Sequence, residues 1–445
     1  MRHHLPQECE LHVHIGGCFQ LEDLFDLGRL VYGDVDWTLF REAHELVYPG
    51  TGVDPIDLFT AALRENSPEP LRPHYIHGEA DGPDFQQLMT NINLRIGLYR
   101  HWRDQGQQGE LGHRIVDRHR EQGLRYVEYR AMYGAASADS EGFLSFHRVN
   151  AQAIRSASGA DFHAGYIVSI PRDQPLVGYS LVRRLIAENP ELRDTVIGID
   201  FCAVEEGHPP KSARSVCERL LDDNQNDPQL PLEIVYHVGE MYFDKSLESA
   251  IRWCHEAAQL GARRLGHAIA LGLDPEVSIG RRPDAHEVEM VSERMDQIDY
   301  DLSHAEALIS FGVQVDEAAL ERERQELQSM DRRAAVRRPY SPERIAETRR
   351  RQDFVLEALE RLGTVVEICP TSNRILGGVY DPAQHSMHRL LASKVDVVIG
   401  ADDPGIFDST LADEVEWVRT HSRLDSLGID ERLGDPMRLR LRAPG

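Results

Sequence analysis

The sequence predicts an α/β chain, a (β/α)8 TIM barrel with helical insertions, on three observations. Eight short β-branched or apolar runs recur: "CELHVH", "LRYVEYR", "FHAGYIVSI", "TVIGIDF", "LEIVYHV", "RRLGHA", "TVVEICP" and "VDVVIGADD". Helical patterns fill most of the gaps between them. Several runs stay apolar to their last residues and then turn to His, Glu or Asp. Eight β-then-α units make that barrel, and its active sites lie where the strands end.

The 445 residues exceed the ~250 usual for the fold, so one domain spanning 1–445 must carry extra segments. Two hold the surplus, about 30–110 and about 274–350. The first contains the turn-rich "RENSPEPLRPHYIHGEADGP". The second contains "EAALERERQELQSMDRRAAVRRPY", whose weak apolar stripe and many charges suit a solvated or self-packing helical insertion. A well-marked helix follows: Ser341 can cap it, Pro342 takes its first position, and Gly363 ends it. That helix feeds directly into "TVVEICP".

Hydrophobic residues make up 41% and charged residues 28%, a globular composition. A formal net charge of −25 repels a phosphate backbone, which argues against nucleic-acid binding. No run reads as a signal peptide or a membrane span, so no membrane partner is expected. The six cysteines (Cys9, Cys18, Cys202, Cys217, Cys254 and Cys369) form no C-x-x-C pair. They read as reduced thiols in a cytoplasmic chain. A homo-oligomer is left open.

The chemistry begins at "ELHVHIGG". Residues two apart in a strand point to one face, so His12 and His14 project together. Taken alone, two buried and hydrogen-bonded histidines would explain the pair. Other strand ends change that. "VYHVGE" puts His237 at a strand end with Glu240 just beyond, "RLGHA" ends on His267, and "IGADDP" supplies Asp402 and Asp403. Histidines and a carboxylate are ordinary zinc ligands, and an open position beside them makes such a site catalytic.

These pieces, with "GLRYVEYR", "IDF", "EICPTSN", "DPAQHSMHRLL" and "ADDPGIFDSTLADEV", stand in the order of a known family. The chain resembles the adenosine/AMP deaminase family of zinc-dependent TIM-barrel hydrolases. The resemblance implies one zinc per chain, held by His12, His14, His237 and Asp402. It implies a purine nucleoside or nucleotide as substrate, losing its 6-amino group as ammonia. Glu240 would carry the proton to the ring nitrogen. His267 would orient the attacking water, with Asp402 beside it as part of the catalytic set. Asp403 would act beside the water and accept a hydrogen bond from the ring. Ser372 and Asn373 would support the seventh strand end, and His385 would pack behind the metal ligands. The smaller zinc deaminase fold is excluded, because its P-C-x-x-C signature is absent.

Three departures bear on substrate. Gly16 stands where adenosine deaminases carry an acidic residue that holds the 5′-hydroxyl. It opens the site to something larger or more anionic, or it is only a turn glycine. Ala203 takes the place of a family glycine whose N–H touches the purine, which adjusts binding. The 274–350 insertion carries Arg281-Arg282, Arg332-Arg333 and Arg337-Arg338, able to clamp phosphates or to pair with neighbouring acids. Two further readings stay in view: an amidohydrolase of this fold acting on another amine or amide, and a catalytically silent nucleotide-binding relative.

Overall fold

The computed structural model describes residues 4–134, 138–228, 231–282 and 286–441. Eight parallel strands form the barrel: β1 (Cys9–His14), β2 (Tyr126–Met132), β3 (His163–Ser169), β4 (Val196–Phe201), β5 (Glu233–Val238), β6 (Ala262–His267), β9 (Val365–Ile368) and β10 (Val397–Ile399). All eight apolar runs are strands. They are buried on both faces, which is why they read as near-continuous hydrophobic sequence. Closure comes just beyond β10, where His14 N donates to Asp402 O at 2.9 Å and Asp402 N donates to His12 O at 2.9 Å. The bonds that close the barrel thereby set Asp402 beside both histidines of β1.

The barrel interior is charged below the strand ends. Glu367 on β9 is fully buried and accepts from Arg130 and Arg264, and Arg264 also pairs with Glu128. Leu441 N donates to Glu128 Oε1 at 2.9 Å, so the C-terminal segment seals this network from below.

The helix Pro342–Leu362 has the expected ends: Ser341 Oγ accepts from Arg344 N, and Gly363 has φ +67°. The 274–350 segment is more than helical. It contains an antiparallel ribbon, β7 (His286–Met290) with β8 (Ala335–Pro339). Buried ion pairs dock this ribbon onto the outer helix Leu247–Gln259. Arg344 binds Glu248 at 2.7 Å and also Glu287, and Arg338 binds Glu287 and Glu289. Val291, Ile298 and Leu327 give the insertion a small core of its own. In the first extra segment, the helices Thr38–Val47 and Pro55–Glu65 precede a long helix, Phe85–Asp104, which lies over the barrel mouth. The six cysteines are buried and unpaired. Among the described residues, no helix is long and apolar enough to cross a membrane.

Candidate metal centre and cavity

His12, His14, His237 and Asp402 converge at the strand ends, their ligand atoms all within 4.8 Å of one another. Asp402 Oδ1 lies 3.4 Å from His12 Nε2 and 3.3 Å from His14 Nε2, and His14 Nε2 lies 3.1 Å from His237 Nε2. The far nitrogens show which atoms face inward. His12 Nδ1 is 2.8 Å from Glu367 Oε2, and His237 Nδ1 is 2.9 Å from Asp200 Oδ1. A carboxylate can only accept, so each Nδ1 carries the proton and each Nε2 presents a lone pair to the centre. His12 Nε2 is buried and finds no hydrogen-bond partner among the described residues. Two bare imidazole nitrogens, a third ring and a carboxylate oxygen therefore face a common point, an arrangement that fits a divalent cation.

The supporting acids are held in charged form. Burial raises the Glu367 carboxyl, but Arg130, Arg264 and His12 hold it well below the usual carboxylate range. Burial likewise opposes the charge on Asp200, and His237 and Arg130 override it. Asp402 has φ +60° and His267 φ +65°, sparsely populated for such residues. Barrel closure holds the first. The Nδ1 of His267 donates to Asn373 Oδ1 at 2.8 Å.

Glu240 and His267 stand beside the centre, with Glu240 Oε2 3.6 Å from His267 Nε2. Glu240 is pushed up to about 7, first by burial and then by Asp402 and Glu205, while His267 works against the rise. Asp403 is raised to about 6, chiefly by burial. Glu205 was not foreseen. Its carboxylate accepts from Gly239 N and Glu240 N at 3.1 and 3.3 Å, and it lies 3.7 Å from the buried Lys245 Nζ. The backbone on either side of Glu240 is thus pinned.

Of the residues expected to bind metal, substrate or protons, Gly16, Ala203, His14, His237, Glu240, His267, Asp402 and Asp403 line one cavity of about 530 Å³, and His12 joins three of them in the ligand cluster. Ala203 has φ +64°, the left-handed region that glycine adopts freely. The space at the glycine pair is already taken. A Cβ on Gly17 would fall 1.7 Å from Asp403 Oδ1, and one on Gly16 would fall 2.6 Å from Arg95 Nη1.

Among the described residues, none from 274–350 lines the cavity. Arg338 is paired, Arg282 donates to the carbonyls of Tyr242 and Lys245, and Arg332 and Arg333 are exposed. The pairing alternative for these arginines therefore describes Arg338. The wall comes instead from the Phe85–Asp104 helix, through Phe85, Leu88, Met89, Ile92, Ile96 and Tyr99. The signal was its helical spacing, with Arg95 set inside the apolar stripe. Asn373 bonds His267, but His385 bonds the Pro370 carbonyl and packs on Trp417. The groups behind the imidazoles are Glu367, Asp200 and Asn373.

The chain is similar in part of its sequence and in its fold to known proteins. The family model described as adenosine deaminase matches residues 343–433. An adenine deaminase of Rhizobium leguminosarum bv. trifolii is 45% identical over 62 residues, 14% of this chain and 19% of that protein. The chain spans about a fifth of the length of the curated relatives it matches. An adenine deaminase from Arthrobacter aurescens shares the fold at TM-score 0.57 and 16% identity, over 98% of this chain and 94% of that one. An amidohydrolase from Burkholderia ambifaria solved with bound Zn shares it at TM-score 0.53 and 13% identity, over 99% and 86%.

Proposed function

We propose that this chain, which resembles the adenosine/AMP deaminase family, hydrolytically deaminates a 6-aminopurine nucleoside or nucleotide with one zinc ion. One observation carries the reading: a buried Glu240 carboxyl, 3.6 Å from His267, faces the cavity in which His12, His14, His237 and Asp402 converge. A deaminase of this kind needs a proton carrier beside a cation site, and this juxtaposition supports that reading.

His12, His14, His237 and Asp402 would hold the zinc. When bound there, zinc supplies Lewis acidity that draws the pKa of a water toward neutrality. Glu240 does the proton work. Raised to about 7, its carboxyl can hold a proton near neutral pH and pass it to the ring nitrogen beside the amine-bearing carbon. That transfer removes aromatic character before water adds. His267 has its Nδ1 fixed on Asn373, so its Nε2 is aimed at the reacting centre. Asp403, next to Asp402 on the cavity wall, accepts a hydrogen bond from the ring and orients it. Water enters, ammonia leaves, and the 6-amino group becomes 6-oxo. A silent binding protein would have no use for this complete set, and a different amide substrate would leave the ring-protonating role of Glu240 unexplained.

The test is ammonia release by the zinc-loaded chain offered adenosine, 2′-deoxyadenosine, adenine and AMP, with cytidine as control. Turnover of any 6-aminopurine and none of cytidine supports the proposal. No ammonia from any purine, with one zinc bound per chain, overturns it.

A further inference from the structure

The cavity is sharply divided in charge. Its three lining acids, Glu240, Asp402 and Asp403, all stand at the strand ends. Its other side is apolar helix, and there the charges are arginines. Four arginines line the cavity: Arg130, on β2, binds Glu367 on the barrel axis, Arg103 binds Asp104, and Arg100 is exposed to solvent. Arg95 is different. Its guanidinium lies against Gly16, its Nε is buried without a hydrogen-bond partner, and no described residue forms an ion pair with it. Asp403 senses its charge but makes no bond to it.

An arginine with buried nitrogen and no acceptor is unfavourable unless something supplies one. The fork of five donors suits an oxyanion with two oxygens in a plane, a phosphate or a carboxylate. Arg95 also sits where such a group could reach it. It lies on the cavity-facing stripe of Phe85–Asp104, one turn from Ile92 and Tyr99, and beside the backbone that follows His14. The volume of about 530 Å³ leaves room beyond a purine ring. The overall charge of −25 would otherwise discourage anions, so an unpaired cation inside this cavity is a specific device.

We propose that Arg95 selects a substrate bearing an oxyanion, the guanidinium closing on that group while the purine amine faces the metal centre. This deepens the deaminase reading above and rests on it for the purine end. Gly16 belongs to the same device: with no side chain, it leaves the guanidinium its place.

The test separates the two claims by measuring binding apart from turnover. Calorimetric titration of the zinc-loaded chain would compare inosine 5′-monophosphate, inosine 5′-carboxylate and inosine. The wild type is expected to bind an oxyanion ligand ~10- to 100-fold more tightly than inosine, the yield of charge-assisted hydrogen bonds. Arg95→Gln should bring that ratio to within ~3-fold of unity. Gain by the phosphate alone, or by the carboxylate alone, identifies which oxyanion is meant. Gly16→Asp is the second variant: it sets a carboxylate against the guanidinium and should also abolish the preference. Equal binding of all three ligands by the wild type overturns the proposal. So does a preference that survives in Arg95→Gln, or in Gly16→Asp should the first variant fail to fold. If the preference holds but no 6-aminopurine releases ammonia, the deaminase reading fails and the oxyanion site stands.

Discussion

Arg95 lies against Gly16 and Asp403 lies against Gly17: Cβ atoms on these glycines would fall 2.6 Å from the guanidinium and 1.7 Å from the carboxylate. Two adjacent glycines therefore seat two side chains of opposite charge. Gly17→Ala forces Asp403 out of place, because the added Cβ would occupy the position of its carboxylate. The expected result is a ~100-fold or larger fall in kcat/KM with zinc still bound, since a misplaced positioning group costs about that much. Steady-state kinetics with metal analysis checks it, and near-normal activity would show that Asp403 has no part in the reaction.

Glu240→Gln keeps the shape of the side chain and removes its proton. Turnover should fall ~10²- to 10⁴-fold, the usual worth of general acid–base catalysis. Zinc content and melting temperature should stay unchanged. A variant with full activity removes Glu240 from the proton-carrier role.

Glu367 joins the candidate metal centre to the barrel axis. It accepts from His12 Nδ1 and compensates two fully buried arginines, Arg130 and Arg264. Glu367→Gln leaves those charges under-compensated, at an expected loss of ~3–5 kcal/mol in denaturant unfolding. Zinc affinity should drop ~10- to 100-fold as His12 loses its carboxylate. Unchanged affinity in a folded variant would mean that His12 does not ligate through Nε2.

Two histidines on outer helices bind strand tyrosines, His119 to Tyr129 and His147 to Tyr166, each at 2.7 Å. Burial pushes both imidazoles down to about 3. Their folded values lie below the ordinary 6.5, so the unfolded chain binds more protons in between. Their contribution is fully present above pH ~6.5 and is lost as the pH falls toward ~3, each adding up to ~1.4 kcal/mol per pH unit. His147→Gln should flatten the decline in melting temperature across that window. An equally steep decline in the variant would count against this origin.

Ala203 holds φ +64° with a Cβ present. Ala203→Gly removes ~1–2 kcal/mol of left-handed strain and restores some unfolded-chain entropy. The net change expected in thermal unfolding is a stabilisation of ~0–1 kcal/mol. A clear destabilisation would show that the methyl contributes packing that outweighs the strain.

The eight barrel strands were legible because a parallel strand covered on both faces must be apolar along its length. The candidate site residues were legible for a related reason: a His or Asp ending such a run has no core to join and needs a polar purpose. The acids behind them left a fainter signal. Asp200 and Glu367 are single carboxylates inside apolar strands, which buried charge without a partner would not allow. The ribbon β7–β8 left almost none. "HEVEM" and "AVRRP" lack an apolar run, and the ion pairs that dock them come from Glu248 and Arg344, which periodicity does not connect.

By itself the sequence determined the barrel, its order of strands, and which imidazoles and carboxylates stand where strands end, because burial pattern and strand alternation are local properties. Tertiary structure alone decided what lies across from them. Barrel closure set Asp402 between His12 and His14, and the long helix of the first insertion brought Arg95 onto Gly16. Both contacts join segments far apart in the chain. Their energy comes from packing and charge in three dimensions, and no local preference for strand or helix encodes it.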